Sequence, residues 1–138
     1  MSNFDLLDWC KYLKIPINNV LSRDGKVPHD HKQAIFIYNL EPSFMSGSHW
    51  VSTYVKDNVS NYFDSFGLPP FQEIGDHAKK KNLTLLHQNQ QIQNLYTAIC
   101  GWFCLYFLNE MHKGRDFFDL LQVFSFDTMK NENFIENI

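Results

Sequence analysis

Thr97-Ala98-Ile99-Cys100-Gly101-Trp102-Phe103-Cys104-Leu105-Tyr106-Phe107-Leu108 is the stretch on which the reading of this chain turns. Thr97 is a residue type that caps helices, and the pattern predicts a helix from there to about His112. Trp102, Phe103, Leu105, Tyr106, Phe107 and Leu108 leave that helix no polar face, so it has to be buried on nearly all sides. The apolar run from Ile99 to Leu108 is too short for the ~20 residues that cross a bilayer. It reads as a core helix with a cysteine, Cys100, in its first turn. Backbone N–H groups there have no partner inside the helix, and the helix dipole adds partial positive charge, which favours a thiolate over a thiol. The same N–H groups can hold an oxyanion. An isolated cysteine at such a place is more often a packing residue, so its reading depends on what the fold brings to it.

Working outward, Gln93 precedes the helix by a short polar segment, where a side-chain amide can supply a second oxyanion donor. Further upstream lies a sheet. Ala34 to Leu40, rich in Ile, Phe and Tyr and followed by Pro42 and Gly47, predicts a buried strand. His49 to Val55 and Val59 to Phe63, separated by Lys56-Asp57-Asn58, predict an antiparallel hairpin. Alternation along the first of these strands puts His49, Val51, Thr53 and Val55 on one face. Asp64 closes the second strand, so it falls at the same end of the hairpin as His49. A carboxylate there can accept a hydrogen bond from one imidazole nitrogen and leave the other to face a thiol.

The rest of the chain supplies packing. Leu6, Leu7, Trp9, Cys10 and Leu13 recur at helical spacing with Pro16 just beyond, which predicts a short amphipathic helix over Phe4 to Leu13. Ile17 to His31 reads as a connecting loop, and a surface helix is expected to end near Lys81. Leu83 to Leu86 reads as a strand, Phe117 to Phe126 as a helix or helix plus strand, and Lys130 to Ile138 as a mobile tail. The fold class expected from these elements is α+β, a twisted, mostly antiparallel sheet packed against the cysteine-bearing helix.

Composition narrows the function classes. With 138 residues, 44% of them hydrophobic and thirteen of them Phe, one domain over residues 1–138 is expected and disorder is excluded. A net charge of −3, with Lys79-Lys80-Lys81 the only basic run, gives no basic stripe for strong nucleic-acid binding. Three cysteines at irregular spacing make no disulfide framework and fit a reducing, intracellular compartment. Asp5 and Asp8 interrupt the first apolar stretch, so it reads as neither signal peptide nor membrane anchor. Cys100, Cys104 and His112 do not match zinc spacings, and no metal or cofactor is expected. Cys104 reads as core, while His29, His31, His77, His87 and His112 lie in polar text and read as exposed.

Ser48-His49-Trp50, then Tyr62-Phe63-Asp64-Ser65-Phe66-Gly67, then Gln93 and, after six intervening residues, Cys100-Gly101-Trp102-Phe103-Cys104 stand in an order that resembles the adenovirus-type cysteine protease (adenain) and its relatives, the ubiquitin-like-protein proteases. The resemblance spans Ser48 to about Leu108, less than half the chain. It implies a triad of His49, Asp64 and Cys100, an oxyanion hole from Gln93 and the Cys100 N–H, and a cleft beside Trp50, with Trp102 as a second wall. Trp50 reads equally as a core aromatic. Asp64 is the acid typical of the ubiquitin-like-protein proteases, where adenain has Glu. Adenain is activated through a cysteine between its acid and its nucleophile; none lies between Asp64 and Cys100 here, so that covalent route is not expected.

The function implied is a monomeric cysteine endopeptidase acting on protein or polyprotein precursors after small, Gly-type residues. Its setting would be viral capsid or scaffold maturation, and its place the virion as well as the cell. The alternatives are a deconjugase of ubiquitin-like proteins and a non-catalytic binding module that keeps the fold.

Overall fold

The computed structural model describes residues 2–22, 34–40 and 49–138. In chain order the elements are α1 (Asn3–Tyr12), β1 (Asn19–Ser22), β2 (Ala34–Asn39), β3 (Trp50–Lys56), β4 (Val59–Phe63), α2 (Gln72–Lys80), β5 (Thr84–His87), α3 (Cys100–His112), α4 (Phe117–Leu121) and α5 (Thr128–Glu136). The strands form one sheet in the order β1-β2-β3-β4-β5. β3 pairs antiparallel with β4, as the predicted hairpin requires, and also with β2, while the two outer strands add parallel pairings, β1 on β2 and β5 on β4, so the sheet is mixed where the sequence predicts a mostly antiparallel one. The fold is α+β with a mixed sheet.

The β3–β4 turn sets the geometry of everything above it. Lys56 pairs with Val59, and the two residues between them, Asp57 and Asn58, have φ of 53° and 64°. Two consecutive positive φ values make the kind of two-residue turn whose twist matches that of the flanking strands, and Asp and Asn tolerate that conformation. The register then follows as Ser52 opposite Phe63. His49 and Asp64, just beyond the paired residues, are thereby delivered to the same end of the hairpin.

Both faces of the sheet are buried, and residues alternate between them. Ile35, Ile37, Trp50, Tyr54 and Phe63 pack with Leu6 and Cys10 of α1, Phe103, Cys104 and Phe107 of α3, Phe117 and Leu120 of α4, and Ile135 of α5. Phe36, Tyr38, Val51, Val55 and Tyr62 point the other way, to Phe71 and Ile74 before and within α2. On the first face Phe63 stacks on Phe107 at 5.0 Å between centroids, and Phe117 meets Phe107 edge-on at 5.5 Å. Aromatic packing of this kind holds α3 against the sheet. No helix among the described residues is long and apolar enough to cross a membrane.

Several expectations change. β1 lies inside the stretch read as loop, where it gains order by pairing with β2; residues 23–31 of that stretch, with His29 and His31, lie outside the described residues, as do Pro42 and Ser46-Gly47-Ser48. Thr97 does not cap α3: the cap position is Ile99, which offers no side-chain bond, and the helix begins at Cys100 itself. Residues 130–138, expected as a tail, belong largely to α5, capped by Asp127 and held by buried Asn131 and Ile135. His77 is buried on α2, only 6% exposed, although its sequence surroundings are polar. The amphipathic packing of that helix against the sheet turns it inward.

Candidate active site

Three pieces of chain converge on the start of α3: the open end of the β3–β4 hairpin, the turn from Asp64 to Gly67, and the segment between β5 and α3. The turn is the hub. Asp64 is fully buried, and its Oδ1 accepts from His49 Nε2 at 2.7 Å and from the Phe66 N–H at 2.8 Å. Its backbone carbonyl accepts from the Gly67 N–H at 2.8 Å and from Gln88 Nε2 at 2.6 Å. Gly67 has φ of +73°, and a Cβ there would lie 2.6 Å from the Gln90 carbonyl carbon. Only glycine lets residues 90 and 91 come this close while the turn adopts a left-handed residue.

His49 is 1% exposed and lies flat against Phe66, with ring centroids 3.9 Å apart and planes within 8°. Stacking fixes the plane of the imidazole, and Asp64 fixes its rotation. Burial would push the imidazole pKa down, but the hydrogen bonds and charges of Asp64 and Cys100 push it up, to about 9. A carboxylate only accepts, so the proton of Nε2 points at Asp64; Nδ1 is buried without a hydrogen-bond partner among the described residues and is the nitrogen left for the thiol.

Cys100 is 2% exposed, at the first position of α3. Its Sγ accepts from the Trp50 backbone N–H at 3.4 Å. No side chain caps the helix, and the Trp102 N–H donates to the Ile99 carbonyl at 3.0 Å, so the N–H groups of the two residues before it look to partners outside the helix. The sulfur thus sits between an imidazole, a strand amide and the positive end of a thirteen-residue helix. A developing negative charge is favoured at that atom by all three.

Gln93 is fully buried beside the same turn. Its Oε1 accepts from the Ser65 hydroxyl at 2.5 Å, while Nε2 donates to the Thr97 carbonyl at 3.0 Å and the Thr97 hydroxyl at 3.1 Å. Serving an oxyanion requires the amide to give up one of these Thr97 contacts. The Ser65 bond orients the amide with its nitrogen away from the turn.

His49, Asp64 and Cys100 are therefore brought together, and Gln93 is joined to them through Ser65. The tryptophans take other parts. Trp50 is 4% exposed with its side chain in the core, and it serves the site through its backbone N–H. Trp102 is 38% exposed and packs edge-on against Trp9 of α1 at 5.0 Å. Sequence reasoning passed over Phe66 and Gln88. The Asp-Ser-Phe-Gly pattern signals a turn, but nothing in it marks Phe66 as the ring that stacks on His49. An open cavity of about 310 Å³ beside Lys56, Asp57, Arg115 and Asp116 lies at the opposite end of the hairpin and contains none of these groups.

A mixed sheet covered by a buried helix that begins with a cysteine, with a histidine and an aspartate delivered by a hairpin to its start, is a fold this chain shares with solved proteases. Among solved structures, the ASFV pS273R protease is similar over 98% of this chain with a TM-score of 0.64 and 13% identity. A second structure of that protease gives 0.62 and 16% over 97% of the chain. The SUMO protease Ulp1, solved with its catalytic cysteine oxidized to a sulfinic acid, gives 0.52 and 13% over 95%. The chain spans 66% and 65% of the length of the two pS273R structures and 74% of that of Ulp1. No family model matches the sequence, and no curated protein is similar to it at the sequence level.

Proposed function

We propose that this chain is a thiol protease with Cys100 as nucleophile, His49 as its base, Asp64 as the group that orients the base, and Gln93 with the Cys100 N–H as the oxyanion hole. The observation that carries the reading is the buried row Asp64, His49, Cys100, in which one carboxylate oxygen lies 2.7 Å from Nε2 and the thiol acts on the same imidazole. In the reaction the sulfur, its proton held by His49, attacks the carbonyl carbon of a peptide or isopeptide bond. Negative charge moves to the carbonyl oxygen, where the helix-start N–H and the Gln93 amide stabilise it. The imidazolium then protonates the leaving amine, and water, deprotonated by the imidazole, releases the acyl group.

The substrate favoured is a protein precursor cut after small, Gly-type residues, as in viral capsid or scaffold maturation, by a monomer working in a reducing compartment. The buried sulfur, 2% exposed at the end of a closely packed hairpin, suits a substrate chain without bulk near the scissile bond. The fold shared with the ASFV pS273R protease supports the protease part of this reading. Deconjugation of a ubiquitin-like protein is the second reading, supported by the fold shared with Ulp1.

The test compares wild type with Cys100→Ala on a peptide library containing Gly-Gly and Gly-X sites. Wild type is expected to cleave and the variant not to; equal background cleavage by both would leave a binding module. Rapid labelling of Cys100 by a ubiquitin-like protein bearing a C-terminal electrophile would move the reading to deconjugation.

A further inference from the structure

Gln93 lies in a segment that has neither helix nor strand of its own, yet its position within the site has to be fixed closely to serve an oxyanion. The Ser65 carbonyl accepts from the N–H groups of both Ile92 and Gln93, at 3.0 Å each. The opposite hold comes from α5. Asn131, 1% exposed, donates from Nδ2 to the Ile92 carbonyl at 3.0 Å and to the Ser125 carbonyl at 2.7 Å, and its Oδ1 accepts from the Ser125 N–H at 3.0 Å. The next residue, Glu132, accepts from the Asn94 N–H through Oε2 at 3.0 Å. The residues on either side of Gln93 are thus tied to two consecutive residues of one helix.

We infer that Asn131, seconded by Glu132, is the positioning residue of the oxyanion segment, so that the C-terminal helix completes a site to which it contributes no reacting atom. A buried amide with three bonds to two separate chain segments is a joint with little freedom, because each lost bond would leave a polar group unsatisfied. The consequence for catalysis rests on the protease reading proposed above. Displacing a catalytic group by ~1 Å can lower a rate ~10²-fold, and losing an oxyanion donor outright lowers it ~10²–10³-fold. A slackened joint belongs at or below the first of these.

Two reactions of the same sulfur separate positioning from general damage. Peptide hydrolysis passes through an oxyanion. Alkylation by iodoacetamide does not: sulfur forms a bond to a saturated carbon as iodide leaves. Asn131→Ala is expected to lower kcat ~10-fold or more with KM little changed, while the alkylation rate of Cys100 and its pH profile stay as in wild type. Combined with Gln93→Ala it should add no further loss, because both act through one amide. Amide hydrogen exchange at residues 92–97 should quicken, with β3 and β4 unaffected. If Asn131→Ala does not fold, Glu132→Ala, which spares the packing of Ile135, carries the same test with a smaller effect.

Equal loss of hydrolysis and alkylation, or full kcat with unchanged exchange at residues 92–97, overturns the assignment. The protease reading is judged apart from it. Wild type that turns over no better than Cys100→Ala removes that reading and the catalytic part of the inference with it, whereas the joint itself stands or falls on the exchange result.

Discussion

The first and second turns of α3 each carry a buried cysteine, Cys100 at 2% exposure and Cys104 at 0%, one above the other on the same face. Their surroundings are opposites. Cys100 has the Trp50 N–H, the His49 imidazole and the start of the helix around its sulfur. Cys104 has burial first, then the repelling charge of Cys100, only partly offset by the neighbouring Ser52 hydroxyl, and its thiol pKa is pushed well above the ordinary value. On the protease reading, that difference is what would make one cysteine of this helix reactive and leave the other inert. Depth does not separate them; what matters is the level of the sheet that the helix turn faces. Opposite the middle of β3 the sheet offers side chains of the core, and opposite its open end it offers a histidine, a carboxylate and the Trp50 N–H.

The largest test of that contrast is to remove each sulfur in turn. Cys100→Ala is expected to lower kcat/KM by at least ~10⁴-fold, since removal of a nucleophile that acts with its base as a unit removes nearly the whole effect. Selective alkylation is the companion measurement: mass spectrometry after brief iodoacetamide treatment should find Cys100 modified and Cys104 and Cys10 intact, because burial alone pushes the Cys10 thiol up to about 11.

The next effect comes from leaving the sulfur in place and weakening its imidazole. Asp64→Asn keeps the shape but loses the carboxylate, and a fall of ~10²–10⁴-fold in kcat is expected. The pH profile should move with it. In wild type the His49 pKa is raised to about 9, so the protonated form is the one the fold stabilises. That contribution to stability is complete below the ordinary value of ~6.5 and disappears as pH rises through about 9. The alkaline limb of activity, where the leaving amine can no longer be protonated, should therefore lie near 9 in wild type and move toward neutrality in Asp64→Asn. An unmoved limb would mean that Asp64 does not set the state of His49.

Gly67 permits the polar end to be loosened without touching any of the three groups. Alanine there meets a left-handed φ of +73° and the Gln90 backbone at 2.6 Å. A loss of ~2–4 kcal/mol in unfolding free energy is expected from strain and overpacking together. Denaturant unfolding measures it. Because the displaced segment includes Gln88 and leads to Gln93, activity should fall in the part of the population that remains folded, which distinguishes this change from a core mutation of equal cost.

The contrast between the two turns of α3 was half legible in the sequence. The apolar run from Ile99, the Asp57-Asn58 turn and the strand of residues 59–63 are local patterns, and they suffice to deliver His49 and Asp64 to one end of a hairpin. The spacing of Gln93 and Cys100 made the rest of the constellation visible through its resemblance to known proteases. What stayed hidden depends on partners distant in sequence. β1 is four residues in polar text that become a strand by pairing with β2. α5 has little amphipathic signal, and its anchor is one asparagine reaching Ile92, 39 positions away. His49 was assigned the strand face of Val51 and Val55, yet it lies one residue before β3 begins and is free of that alternation. Trp50 looked like a cleft residue because it follows His49, whereas the pleat turns its side chain into the core.

The smallest effect sharpens the comparison from the inert side. Cys104→Ala removes one sulfur from a packed region beside Ser52, Phe103 and Phe107, and a loss of about 1–2 kcal/mol is expected from the small cavity. Activity should stay within about threefold of wild type, since no polar group of the site loses a partner and Cys100 sits one turn nearer the helix start. The Ser52 hydroxyl is the sensitive point: it neighbours Cys104 and lies two residues from Trp50, whose N–H holds the Cys100 sulfur. If Cys104→Ala lowers kcat as strongly as Asp64→Asn does, then the second turn is part of the reacting assembly through β3, and the boundary drawn here between the two sulfurs falls. If it changes only the midpoint of unfolding, the polar end of the sheet is what separates a nucleophile from a packing residue of the same type.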